Sequence, residues 1–125
     1  MKRDWDMIRD MLTRLEELPS RDKTLGPSDF APESQALASY HAELLIEAGL
    51  IEGNLSRTIG PGTKHFLLRR LTWPGHEFLD SIRSDTVWNK TKKSFVSNGI
   101  TMTFDLVKSV AADISVALIK SGTGI

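Results

Sequence analysis

The sequence contains no cysteine, which excludes disulfides, zinc sites built on thiolates and thiol nucleophiles. A reducing compartment fits that composition, and a cytoplasmic protein is the expectation. No stretch approaches the roughly 20 apolar residues needed to span a bilayer, and the opening MKRDWDMIRD scatters charge through its first residues. Neither export nor membrane contact is indicated. Net charge is missing as well: Lys and Arg number 16 and Asp and Glu number 16, so no strong overall field draws the chain to nucleic acid or anionic lipid. Any such contact must be local.

Signs of catalysis or cofactor binding are equally sparse. His41, His65 and His76 are the only histidines, none at metal-ligand spacing, and His76-Glu77 lacks the second histidine of a zinc-protease helix. Gly60-Pro61-Gly62 is not followed by Lys-Ser or Lys-Thr and stands between two strand-like runs, so it reads as a turn and not as a phosphate loop. Asp80 and Asp85 carry no sign of a paired acid site, and Asp85 reads as a helix cap. No enzyme, metal or cofactor is expected.

What remains is a foldable chain of 125 residues, 40% hydrophobic and 26% charged, with material for one core. Charge is uneven: residues 1–33 hold six basic and eight acidic side chains, 34–83 five and five, and 84–125 five and three. Asp4 can cap a first helix in which Trp5, Ile8, Leu12 and Leu15 recur at helical spacing beside Met11 and Leu18, with Pro19 ending it. PSRDKTLGPSDFAP, from Pro19 to Pro32, predicts a loop with a short extended piece near Phe30. ESQALASYHAELLIEAGLI predicts a second helix burying Leu37, Tyr40, Leu44 and Ala48, with His41 and Leu45 beside them. Its outward positions are then Gln35, Ala38, Ser39, Ala42, Glu43, Ile46 and Glu47. Gly49 is its stop, with Leu50 folding back as in a Schellman closure.

Leu50 to Leu55 and Lys64 to Leu71 read as two strands of an antiparallel hairpin, joined through SRTIGPGT. Thr72 can cap a helix lined by Phe78, Leu79 and Ile82. Another follows in SDTVWNKTKKSFVSNG, with Val87, Trp88, Thr91 and Phe95 on one face and Asn98-Gly99 closing it. A last helix from about Thr103 to Lys120 carries an apolar band too broad for one narrow line of contact. Trp73, Trp88, Phe66 and Phe78 could stack on bases, but most of them are more economically placed in the core.

Helix, loop, helix ending in AGLI, hairpin, then LTWPGHEFL is the order of a winged helix, in which the helix before the hairpin is the recognition helix. The expected class is α+β, mostly helical: a winged-helix core over residues 1–83 with a two- or three-stranded antiparallel wing, and two additional C-terminal helices over residues 84–125, within a single domain. YHAELLIEAGLIEG and RRLTWPGHEFLDSI resemble segments of many bacterial winged-helix regulators. Together with MKRDWDMIRDML and DTVWNK they resemble a family of bacterial, phage and prophage proteins, the domain of unknown function 2513 family. That resemblance implies no activity, and a setting in phage or mobile elements. The helix that normally precedes a recognition helix has no clear counterpart in PSRDKTLGPSDFAP.

Two roles compete on these residues. Double-stranded DNA would be met by Gln35 and Ser39 near bases, with Arg57, Lys64 and Arg69 of the hairpin along the phosphates, and Arg70 and the Lys90, Lys92, Lys93 cluster as further cations. Glu43 and Glu47 would oppose it. The rival is a protein-recognition module, including an inhibitor of a host or defence system, docking a host or phage protein through the acidic helix face or the C-terminal band. In that band Val107, Val110, Ala111, Ile114 and Leu118 either pack within the molecule, the C-terminal extension lying on the core, or form the seam of a homodimer.

Overall fold

The computed structural model describes residues 1–56 and 65–123. Among them are five α-helices and a two-stranded antiparallel sheet, in the order α1 (Trp5–Glu16), α2 (Gln35–Glu47), β1 (Ile51–Ser56), β2 (His65–Leu71), α3 (Trp73–Ile82), α4 (Asp85–Asn98) and α5 (Phe104–Thr123). The fold is α+β and mostly helical. Backbone proximity divides it into two compact units, Met1–His76 and Glu77–Ile125, the division falling inside α3. The turn expected over SRTIGPGT lies, after its first residue, outside the described residues.

In the first unit, Asp4 caps α1 by accepting the Met7 N–H at 3.1 Å, and Ile8, Met11, Leu12 and Leu15 are buried. The segment after Pro19 differs from the expectation. Its extended piece is at Leu25, which exchanges two hydrogen bonds with Leu68 of β2 (2.9 and 2.8 Å), and short 3-10 turns follow at Pro27–Asp29 and Pro32–Ser34. Phe30 is instead a buried plug. Its ring meets Phe66 edge-on at 5.9 Å, and the Arg14 guanidinium lies over it at 4.4 Å from its centre.

The predicted inner face of α2 is corrected by about a third of a helical turn. Ala38, Ser39, His41, Ala42 and Leu45 are buried, whereas Leu37, Tyr40 and Leu44 are only half-buried and Ala48 is exposed. Counting bulky apolar residues selects the wrong stripe because close packing favours small side chains where backbones approach. His41, fully buried, makes the new face tolerable. Its Nδ1 donates to the Leu37 carbonyl at 2.8 Å, and its Nε2 accepts the Asp4 N–H at 2.7 Å, tying α2 to the start of α1.

The end of α2 follows the expected closure. Leu50 N–H donates to Leu45 O and Gly49 N–H to Ile46 O, both at 3.0 Å, with Gly49 at φ +76°, a left-handed conformation suited to glycine. The chain passes directly into β1, which pairs with β2 from Ile51↔Leu71 to Ser56↔His65. Glu52 faces Arg70 and Gly53 faces Leu68, so Arg69 is the extra residue of a bulge. The bulge lets Phe66 and Leu68 before it and Leu71 after it all point inward, and leaves both Arg69 and Arg70 exposed. Thr72 then caps α3: its hydroxyl accepts the Gly75 N–H at 3.2 Å and donates to Gly49 O at 2.6 Å, while its N–H donates to Leu50 O at 3.0 Å.

In the second unit, Phe78, Leu79 and Ile82 are buried, and Phe78 packs on Phe104 at 4.7 Å between ring centres. The cap of α4 is Ser84, which accepts the Val87 N–H at 3.2 Å. Asp85, expected in that role, is the first helical residue, where its charge favours the helix N-terminus. Val87, Trp88, Thr91 and Phe95 form the buried face, and Gly99 and Ile100 close the helix on Val96 and Phe95. Thr103 caps α5 by accepting the Leu106 N–H at 3.2 Å.

Candidate functional site

The rotation of α2 rewrites its surface. Its outward side carries Ala36, Tyr40, Glu43, Leu44 and Glu47, with Ala36 and Glu47 exposed and the other three half-buried. Ser39, a candidate base contact, is 3% exposed and points inward. Gln35, the other, is half-buried, and its amide donates to the Phe30 carbonyl at 3.3 Å. It is engaged in holding the preceding loop. The local charge has one sign: from Thr24 to Ser56 the sequence has no lysine or arginine, while Asp29, Glu33, Glu43, Glu47 and Glu52 are acidic. That signal was available in the sequence and is more telling than the overall balance of zero.

The cations expected to follow phosphates are divided. Arg57 and Lys64 lie outside the described residues. Arg69 is exposed beside Arg70 and, with Arg21 and His76, lines a hollow of about 270 Å³. Acidic groups offset this cluster. Arg70 is paired with Glu52, and Glu16, also in the lining, lies 3.7 Å from His76. Beside it, the Ser20 hydroxyl donates to Asp22 and holds that carboxyl below the usual aspartate range. Among the described residues no group of His, Cys, Asp and Glu is arranged to hold a metal ion, and no helix is long and apolar enough to cross a membrane.

Comparison with known proteins decides the family. A family model described as Hypothetical protein, domain of unknown function 2513, matches residues 2–101. The chain belongs to the domain of unknown function 2513 family. An uncharacterized protein of Haemophilus influenzae is 40% identical over 114 residues, covering 91% of this chain and 95% of that one. No solved structure matches the chain.

The match to the domain of unknown function 2513 family takes in the two motifs that meet at the α2–β1 and β2–α3 junctions, EAGLIEG and LTWPGHEF. It stops before α5, where the expected homodimer seam was drawn. Of that seam, Val107 and Ala111 are wholly buried and unavailable to a second copy, while Val110, Ile114 and Leu118 are half-buried. The apolar side chains α5 presents outward are Leu106, Val116 and Ile119, exposed by 43%, 49% and 64%. The expectation that most of the aromatics are core residues holds: Trp88, Phe66 and Phe78 are buried, and Trp73 is the exception, 77% exposed at the first position of α3. No residue spacing marked it, because the cap at Thr72 and the close approach at Gly75 set the helix orientation.

Proposed function

We propose that the first unit is a winged-helix-type scaffold used for protein recognition, with the outer face of α2 as its contact surface. The order supports the scaffold: α1, an extended residue bridged to β2, 3-10 turns in place of a second helix, then α2 leading through a tight closure into an antiparallel hairpin. The observation that carries the role is the acid-only run from Thr24 to Ser56, which includes all of α2. DNA recognition draws most of its affinity from cations set against phosphates, and Glu43 and Glu47 reverse that sign in the place a recognition helix would enter the groove. Tyr40 and Leu44 between them supply apolar area of the kind that anchors protein interfaces. The matching partner is a protein surface with an apolar patch rimmed by lysine or arginine.

A photo-reactive residue at position 44, used in the native cell, would capture such a partner, whose affinity is then measured with purified proteins. Glu43→Lys with Glu47→Lys is expected to weaken it by at least about tenfold through charge reversal. Unchanged affinity overturns the assignment. Electrophoretic shifts with genomic fragments at about 50 mM salt test the nucleic-acid alternative, which Arg69 still favours. Retention that is lost on Arg69→Gln, an exposed position, would replace the protein reading with a DNA one.

We also infer self-association through α5. Leu106, Val116 and Ile119 are large apolar groups left on its outside, and five of the eight exposed large hydrophobic residues described, these three with Val96 and Ile100, belong to the second unit.

A further inference from the structure

The second unit has a surface of the opposite character to α2. No acidic residue occurs between Asp85 and Asp105, whereas Lys90, Lys92 and Lys93 all fall on α4. Lys92 is held inward, its ammonium 5.4 Å from the centre of the Trp88 ring. Lys90 and Lys93 are exposed, and neither has a hydrogen bond or ion pair among the described residues. Spaced by three and four along the helix, Lys90, Lys93, Ser94 and Ser97 share one face. With Asn98 and with Ile114 from α5 they line a hollow of about 380 Å³.

We propose that this hollow binds a phosphate group. The residues that line it carry two ammonium groups and two hydroxyls, and the Asn98 amide has one N–H beyond the one donated to Ser94 O at 2.7 Å. No carboxylate lies in the lining: of the acids on α5, Asp113 neighbours Ile114 in sequence but is not part of it, and neither is Asp105. Lysines act on phosphate as point charges, so a pair flanking a concavity suits a dianion without requiring the fork geometry that arginine supplies. The volume is within the range of about 300–1,000 Å³ typical of small-ligand sites, and Ile114 provides an apolar contact beside the anion. The contrast with the Arg69 hollow is one of balance: there Glu52 pairs with Arg70 and Glu16 lies beside His76, whereas here no acidic residue is in the lining.

The same chemistry serves a small phosphorylated ligand and a nucleic-acid backbone, and the test separates them. The full chain is titrated with inorganic phosphate while the backbone amide resonances of Ser94 and Ser97 are followed, with sodium chloride at matched ionic strength as the control. Saturable shifts absent from the control are expected, and Lys90→Gln with Lys93→Gln should weaken binding about tenfold. Both lysines are exposed, so an unchanged thermal melt would show that the variant folds. A short DNA duplex is the second arm. Duplex binding that phosphate competes away and the double variant loses assigns the phosphate to a backbone; phosphate binding without duplex binding assigns it to a small ligand. Absence of a saturable shift by about 10 mM phosphate, or equal binding by the double variant, overturns the proposal.

Discussion

The Leu50 carbonyl is the point where two short motifs meet. It accepts the Thr72 N–H, and a Cβ built on residue 75 would stand 1.9 Å from its oxygen, so only glycine fits there without moving backbone. Gly75→Ala should therefore destabilise the protein by about 1–3 kcal/mol through forced displacement of the helix start. Gly49→Ala differs in kind. Nothing lies within 4 Å of its added Cβ, but the residue sits at φ +76°, so the expected loss is about 1 kcal/mol of backbone strain. Thermal melts of the two variants give the ranking, and a larger loss at Gly49 would contradict it. His41 adds a second residue-scale test. His41→Leu keeps an apolar filling and removes the acceptor for Asp4 N–H, at an expected cost of about 1–2 kcal/mol, whereas His41→Ala also leaves a cavity and should cost about 2–4 kcal/mol. Equal melting temperatures for the wild type and the leucine variant would show that the hydrogen bond contributes nothing.

At the scale of elements, most helix ends and the faces of α1, α3 and α4 are legible in the sequence, and the face of α2 is not. Asp4, Gly49, Thr72 and Gly99 act where local chemistry predicts, because a cap depends on neighbours within a few residues. The face of α2 depends on what packs against it. Its buried set mixes alanines, a serine and a histidine with one leucine, so hydrophobicity alone gives no sharp stripe and points instead to the bulky Tyr40 and Leu44. The candidate site inherited that error through Ser39. The Leu25 bridge has no sequence signal for a related reason: a single residue pairing with a strand more than forty positions away leaves no periodicity. Placement of the α4 cap is directly testable. Ser84→Ala removes the acceptor for Val87 N–H and should cost about 1 kcal/mol, while Asp85→Ala loses only a charge near the helix N-terminus, about 0.5 kcal/mol, and less at high salt. The opposite order in denaturant titrations would return the cap to Asp85.

For the molecule as a whole, charge segregation constrains assembly more than net charge does. A two-fold contact sets each patch against its own copy, so a region of one sign opposes itself and is a poor seam. The acid-only face of α2 and the base-only face of α4 are both disfavoured on that ground. The outer side of α5 is different. Asp105 lies near its start and Lys120 near its end, with Ser109, Ala112 and Val116 between them at helical spacing. An antiparallel pair of such helices brings Asp105 of one copy toward Lys120 of the other, and the small Ser109 and Ala112 near the middle allow close approach. The expected mass by light scattering at tens of micromolar is that of a dimer. Val116→Asp with Ile119→Asp should give a monomer with little change in melting temperature below the dissociation range, since the two side chains are already 49% and 64% exposed. Charge reversal at Asp105→Lys alone should weaken the dimer, and adding Lys120→Asp should restore it in part, a recovery that general surface disruption would not produce. A monomeric wild type removes the α5 seam, and a dimer indifferent to all four substitutions moves it elsewhere on the molecule.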